Sequence, residues 1–219
     1  MKLIAFQYGK TEINEAMAFA GGNEEIKIPI SLLFFLIESG NRKILVDTGC
    51  DTMPGFPLYE FCSPVKILEE YGVNRDEITD IILTHAHHDH TDGTHYYKNA
   101  NVYIQSQEAK MADNYIPNKD KLHIFENEVC VGTNITARCI GGHSVGSCVV
   151  EIKTDKTVYA LCGDECYLPK NIEQKIPTAS SYDKQKSKKF IEEYSKAKYT
   201  PILFHDKDVV GRIGYKKIF

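Results

Sequence analysis

Thr84-His85-Ala86-His87-His88-Asp89-His90 places four histidines and an aspartate in six consecutive residues, directly after the apolar run Ile81-Ile82-Leu83. The run reads as a strand that delivers the polar residues to a turn. Imidazole and carboxylate are ligands of zinc and its borderline neighbours. In extended backbone, side chains alternate with period two, so His85 and His87 point the same way. Asp89 and His90 lie past the turn and are free to face a second centre. One loop could thus serve two metal ions. A histidine-rich surface loop or an artificial tag would explain the same letters. The stretch is internal, however, and it has partners downstream.

Those partners each follow an apolar run. His143 follows Ile140-Gly141-Gly142, where two glycines allow close backbone approach. Asp164 follows Tyr159-Ala160-Leu161-Cys162-Gly163, and His205 follows Ile202-Leu203-Phe204. Upstream, Val46-Asp47-Thr48-Gly49 sets an acid and a glycine where another buried strand emerges.

The ordered set His85, His87, Asp89, His90, His143, Asp164 and His205 resembles the metallo-β-lactamase superfamily along essentially the whole chain. Asp47 matches that superfamily's early strand-end motif. The resemblance implies a four-layer αβ/βα sandwich, an α+β fold with the site at one edge of two stacked mixed sheets. It also implies two zinc ions, with iron or manganese as the other candidates. By the same resemblance, His85, His87 and His143 hold one ion, Asp89, His90 and His205 the other, and Asp164 bridges them. Asp47 would then stand behind a ligand histidine, on its other ring nitrogen. His88, His95 and His123 fall outside the ligand register, and His88 is expected to face away.

Gly163-Asp164-Glu165-Cys166-Tyr167 narrows the resemblance to the N-acyl homoserine lactonase group, in which a tyrosine at this position contacts the substrate carbonyl. That implies attack of a metal-bridging hydroxide on a lactone or related ester, with Tyr167 assisting the oxyanion and Asp89 carrying the proton. Departures are visible. The family's Gly-His-Ser-Pro-Gly-His is here Gly142-His143-Ser144-Val145-Gly146-Ser147, and Phe204 replaces the usual glycine before the last ligand. The loop after Gly49 looks shorter than in typical lactonases. Two rival readings share most of the ligand set. A glyoxalase II-like thioesterase usually carries a further C-terminal substrate domain. A di-iron oxidoreductase usually carries a flavin domain and a carboxylate where His87 stands.

The rest of the sequence bounds these readings. The 219 residues suffice for one well-buried domain, 1–219. A net charge of -4 and no dense basic stripe argue against nucleic acid as a partner. Lys184, Lys186, Lys188 and Lys189 cluster on an expected helix with Glu192 and Glu193, as on a solvated face. The most apolar stretch, Ile28 to Ile37, is half the roughly 20 residues that span a bilayer, so no membrane partner is expected. Seven cysteines, an odd number without a C-x-x-C pair, suggest free thiols in the cytoplasm. Cys162 and Cys166 read as small buried residues. The expected partner is a small-molecule lactone or ester, and the expected assembly is a monomer or homodimer.

Strands are expected at 3–8, 28–38, 43–47, into Thr84 after 77, and at 101–105, 129–131, 135–140, 148–152, 157–161 and 201–204, with an edge strand over 215–219. Segment 12–22 could be a helix or a loop. Ser63-Pro64 should open a helix closed at Gly72, and Ser106 should cap one through Asp113. A short helical segment after Gly93 and a longer helix over 182–198 complete the pattern. The proline-bearing loop 50–62, with Phe56, Tyr59 and Phe61, could wall a substrate pocket or pack on the next helix.

Overall fold

The computed structural model describes residues 1–219. Strands β1 (Lys2–Asn14), β2 (Lys27–Ser39), β3 (Arg42–Val46), β4 (Asp80–Ile82), β5 (Asn101–Gln105) and β6 (Leu122–Phe125) build most of one sheet. Strands β7 (Glu128–Gly132), β8 (Ile135–Cys139), β9 (Cys148–Lys153), β10 (Val158–Leu161) and β11 (Tyr199–Ile202) build a second. The last strand, β12 (Gly214–Lys217), returns to the first sheet and pairs antiparallel with β1. The orders are β12-β1-β2-β3-β4-β5-β6 and β11-β10-β9-β8-β7.

Alternation along the central strands explains the layering. On one face of the first sheet, Leu3, Ala5, Leu33, Phe35, Ile37, Ile44 and Val46 meet Val131, Ala137, Val150 and Ile152 of the second sheet. On the other face, Ile4, Phe6, Leu32, Phe34 and Leu36 pack under helices α2 (Pro64–Glu70) and α4 (Ser106–Ala112). A sheet covered on both faces needs strands that are apolar throughout, as β2 is over Ile30–Ile37 save Ser31. Outside the second sheet, Val149 and Ala160 meet Phe190, Ile191 and Tyr194 of helix α6 (Lys184–Tyr194). Four layers result, helix–sheet–sheet–helix, in the α+β sandwich that the resemblance implies. Three short helices, α1 (Glu15–Ala18), α3 (His88–Thr91) and α5 (Pro169–Gln174), lie in connections. No helix is long and apolar enough to cross a membrane.

Several local expectations are corrected. The first strand continues past Tyr8 to Asn14, because β2 pairs with it over its whole length, through an irregularity at Gln7–Gly9. The undecided segment divides into the end of that strand and α1. Ser63 precedes α2 but makes no side-chain capping bond. Gln105, not Ser106, caps α4, accepting from the Gln107 amide. Strand β6 was not expected. It is four residues long and only Phe125 of it is buried, so its sequence carries little strand signal. The helix expected over 182–198 shortens to α6, whose cap is Asp183, accepting from the Gln185 and Lys186 amides.

Phe35 is fully buried between the sheets and meets Phe204 edge-on, ring centroids 4.7 Å apart. Phe35→Ala should cost about 3–5 kcal/mol in denaturant unfolding, as large-to-small changes in packed cores do. Ile124→Ala, on an exposed side chain, should stay within about 0.5 kcal/mol.

Candidate metal centre

Strands β3 and β4 run parallel, as do β10 and β11, so their C-terminal ends open on one edge of the sandwich. Asp47, the loop Thr84–His90, Asp164 and His205 follow those four ends, and the connection from β8 to β9 adds His143. The structure brings together all seven ligand-type residues named from the sequence. They form two groups, His85, His87, His143 and Asp164, and Asp89, His90 and His205. Within each group the candidate ligand atoms lie within 4.8 Å of one another.

Asp164 stands between the groups and turns one oxygen to each. Its Oδ1 is 3.0 Å from His205 Nε2 and 3.1 Å from His90 Nε2. Its Oδ2 is 3.4 Å from His143 Nε2 and 3.7 Å from His85 Nε2. His87 Nδ1 and His143 Nε2 are 3.0 Å apart, and His90 Nε2 is 3.5 Å from Asp89 Oδ2.

The backs of the rings are held by the protein. His90 Nδ1 donates to Asp47 Oδ2 at 2.6 Å. The same carboxylate accepts from Thr84 N at 2.7 Å and Thr84 Oγ1 at 2.8 Å. Since Thr84 spends its proton on Asp47, its oxygen is left to accept from His85 Nδ1, 3.1 Å away. Asp47 therefore orients two histidines, one directly and one through Thr84. It does so from a left-handed backbone, φ +57°, which aspartate tolerates better than most residues. His205 Nδ1 donates to the Ser31 carbonyl at 2.9 Å. These bonds fix the tautomers and turn Nε2 of all three rings toward the centre, where that of His205 meets Asp164 Oδ1 and those of His85 and His90 are left bare.

Those bare nitrogens provide a test of whether a cation fits. His85 Nε2 and His90 Nε2 are buried and have no hydrogen-bond partner. A buried polar atom left unpaired costs about 1–3 kcal/mol. Lone pairs that converge on a carboxylate are instead what a divalent ion requires. The donor set, imidazole and carboxylate without thiolate, suits zinc, iron or manganese. The buried Cys162 and Cys166 thiols turn away, toward the carbonyls of Ala160 and Leu168.

Charge follows the same division. Burial would raise Asp164, yet His90, His205 and His143 outweigh it and hold the carboxyl well below its usual range. Burial pulls His85 well down, reinforced by His90, and takes His143 to about 4. His90 and His205 also suffer burial, but Asp164 overcomes it in both and raises them.

The centre forms the floor of a pocket of about 320 Å³. Ile13, Met17, Ile30, Met53, Pro54 and Phe56 make its wall apolar. Loop 50–62 thus contributes to the wall, while its Leu58 and Cys62 pack onto the core under α2. Tyr167 also lines the pocket, its ring 4.9 Å from that of His205 and 5.9 Å from that of His143. Its hydroxyl is 3.1 Å from Ser180 Oγ, and burial, with Asp164 next, raises its pKa well above the ordinary phenol value. It remains a neutral donor. His88 does not face away. It lines the pocket mouth, with Nε2 3.0 Å from the Thr52 carbonyl and Nδ1 3.2 Å from the Tyr115 hydroxyl. His95 and His123 belong to neither group.

Four contributors were not read from the sequence: Thr84, Ser180, Glu108 and Glu165. Glu165 is buried and accepts from the amides of Gly142 (3.0 Å) and His143 (3.2 Å) and from the Ser147 hydroxyl. Burial raises its carboxyl to about 7 against these bonds. Thr84 and Glu165 at least adjoin ligand-type residues. Ser180 and Glu108 carry no sequence signal.

A paired-sheet sandwich with a histidine and aspartate cluster at its strand ends defines a class of metal-binding hydrolase folds. Residues 33–200 match the family model described as Metallo-beta-lactamase superfamily, and the chain belongs to that superfamily. Among relatives, an N-acyl homoserine lactonase of Bacillus cereus is 28% identical over 212 residues, covering 83% of either chain. A solved N-acyl homoserine lactone hydrolase, with the product N-hexanoyl-L-homoserine at its catalytic metal center, superposes with a TM-score of 0.80 at 20% identity. That match covers 94% of this chain and 93% of the other. A dizinc quorum-quenching lactonase superposes with a TM-score of 0.78 at 17% identity, covering 99% and 93%. The homologues and structural neighbours are metal-dependent hydrolases, and this chain is a lactonase-like metallo-hydrolase with a His/Asp metal-binding cluster.

Asp47→Asn keeps the side chain's shape and suits the left-handed backbone, so it isolates the charge that orients His85 and His90. Metal affinity, measured by chelator competition, should fall by about 10–100-fold. An unchanged affinity would reduce Asp47 to closing its turn.

Proposed function

We propose that the protein hydrolyses a lactone or closely related ester with two divalent ions, zinc above all, held by His85, His87 and His143 on one side and Asp89, His90 and His205 on the other, with Asp164 shared. The observation that carries this reading is the division of Asp164's two oxygens between two histidine groups at the floor of an apolar-walled pocket. Such ions supply, when bound, a water activated at neutral pH and positive charge beside the scissile carbonyl.

The remaining work falls to the chain. Ile13, Met17, Ile30 and Phe56 accept the apolar part of the substrate and exclude water around the reacting group. Tyr167, kept protonated by burial, donates its phenol to the oxygen on which charge develops. Ser180 orients that phenol. Asp89 lies at the pocket surface and carries a proton to the leaving alkoxide. Its backbone is fixed by the Tyr8 hydroxyl, which donates to the Asp89 carbonyl at 3.0 Å. The lactonase relatives favour an acyl homoserine lactone as the substrate class, because an apolar wall beside a polar floor suits an acyl chain joined to a small polar ring.

Elemental analysis should find about two metals per chain, and chelation should abolish lactone cleavage that zinc then restores without an electron donor. A single metal, with the second never taken up, would overturn the two-ion reading. Activity requiring iron and a reductant would replace the hydrolase by an oxidoreductase. Tyr167→Phe removes one hydroxyl and keeps the ring over His205. Turnover of the best lactone should drop roughly ten- to a thousandfold at unchanged metal content. Wild-type kinetics in that variant would leave a metallo-hydrolase without the lactonase assignment.

A further inference from the structure

Glu108 is a second carboxylate buried beside the cluster, and neither the ligand pattern nor the proposed chemistry uses it. It lies in the first turn of α4 with 1% of its surface exposed, and no lysine, arginine or histidine pairs with it. A buried carboxylate without a counter-charge is costly unless hydrogen bonds replace its lost water. Three donors supply them. Glu108 Oε2 accepts from the Ala86 amide at 3.0 Å. Oε1 accepts from the Ser144 hydroxyl at 2.8 Å and the Gly146 amide at 2.8 Å.

The origin of these donors gives the arrangement its meaning. Ala86 lies between His85 and His87, on the loop from the first sheet. Ser144 and Gly146 lie just past His143, on the loop from the second sheet. One carboxylate thus ties together the two loops that bring the three histidines of the first group. Gly146 is shaped for this contact, since an added Cβ would run into the Gln105 amide oxygen and the Glu108 side chain. Helix α4 is itself anchored, with Ala109 and Ala112 in the core beneath the first sheet. Between the two loops the backbone adds one bond, from the Cys148 amide to the Thr84 carbonyl at 2.8 Å, at their base.

We propose that Glu108 is a positioning residue that sets the spacing of His85, His87 and His143 before any metal arrives, so that the ion meets ligands already converged. Its carboxylate touches neither the ligand nitrogens nor the pocket. It acts through backbone, by preventing the loops of the two sheets from separating. The inference rests on the reading of the cluster as a metal site.

Glu108→Gln tests it at constant volume. All three partners are donors, so the amide nitrogen of glutamine must face at least one of them and lose that bond. Zinc affinity, measured by competition with a chromophoric chelator, should weaken by about 10–100-fold, the usual cost of losing an outer support. The visible spectrum of the cobalt(II)-loaded chain should change, since the angles between ligands relax. A lowered melting temperature of the metal-free variant, with wild-type zinc affinity and cobalt spectrum, would overturn the proposal and make Glu108 merely structural. If the variant does not fold, amide hydrogen exchange of the metal-free wild-type chain decides. Protection of Ala86 and Gly146 comparable to strand amides supports a preset site, and protection appearing only after zinc overturns it. The two readings fail separately. A chain that binds zinc through Glu108-supported loops but cleaves no lactone or ester loses only its proposed function. A lactonase whose Glu108→Gln variant binds zinc normally loses only the inference.

Discussion

Asp164 is an anion with little access to water, and the surrounding structure compensates for that. Burying a carboxylate costs several kcal/mol unless charge and hydrogen bonds replace its hydration. Four imidazole nitrogens stand within 3.0–3.7 Å of its two oxygens. The rings cannot drift, because Asp47, Thr84 and Ser31 hold the other nitrogens of His90, His85 and His205. The result is a preset arrangement with lone pairs turned inward, which suits a cation better than it suits an empty core.

That arrangement depends on the contact between sheets. His85, His87, Asp89 and His90 come from the end of a strand in the first sheet. Asp164, His205 and His143 come from the second. The groups meet only because Phe35, Val46 and Ile82 pack on Leu161, Ile202 and Phe204 across the interface. Buried carboxylates then tighten the edge. Glu108 joins loops from the two sheets, and Glu165 closes the Gly142–Ser147 loop on itself and on Asp164's own segment. Gly142 and Gly146 leave room for these two carboxylates. The departure Ser147, where the lactonase group has histidine, is explained locally by its bond to Glu165.

Much of this was legible in the chain. The apolar run of β2 announces a strand covered on both faces, and each ligand-type residue follows such a run. The seven residues of the cluster could therefore be singled out before the structure, since strand ends and ligand chemistry are written locally, and the layered sandwich was implied by the family resemblance that their order carries. Asp47 could be placed at the edge for the same reason. Errors fell where local preference was weak. Strand β6 is short and mostly exposed, the end of β1 is set by its partner, and the cap of α4 passed from Ser106 to Gln105 through side-chain geometry.

The sequence by itself determined the ligand types, their order and the alternating faces that force two sheets together, because periodicity and residue chemistry are properties of neighbours along the chain. Only the tertiary structure decided which oxygen of Asp164 faces which histidines, that His88 joins the pocket mouth, that loop 50–62 serves both wall and core, and that Glu108 ties two loops. Those facts depend on contacts between residues far apart in sequence, 21 positions from His143 to Asp164, 22 from Ala86 to Glu108 and 79 from His85 to Asp164. Such contacts are set by how the two sheets twist and pack, and no local pattern records them.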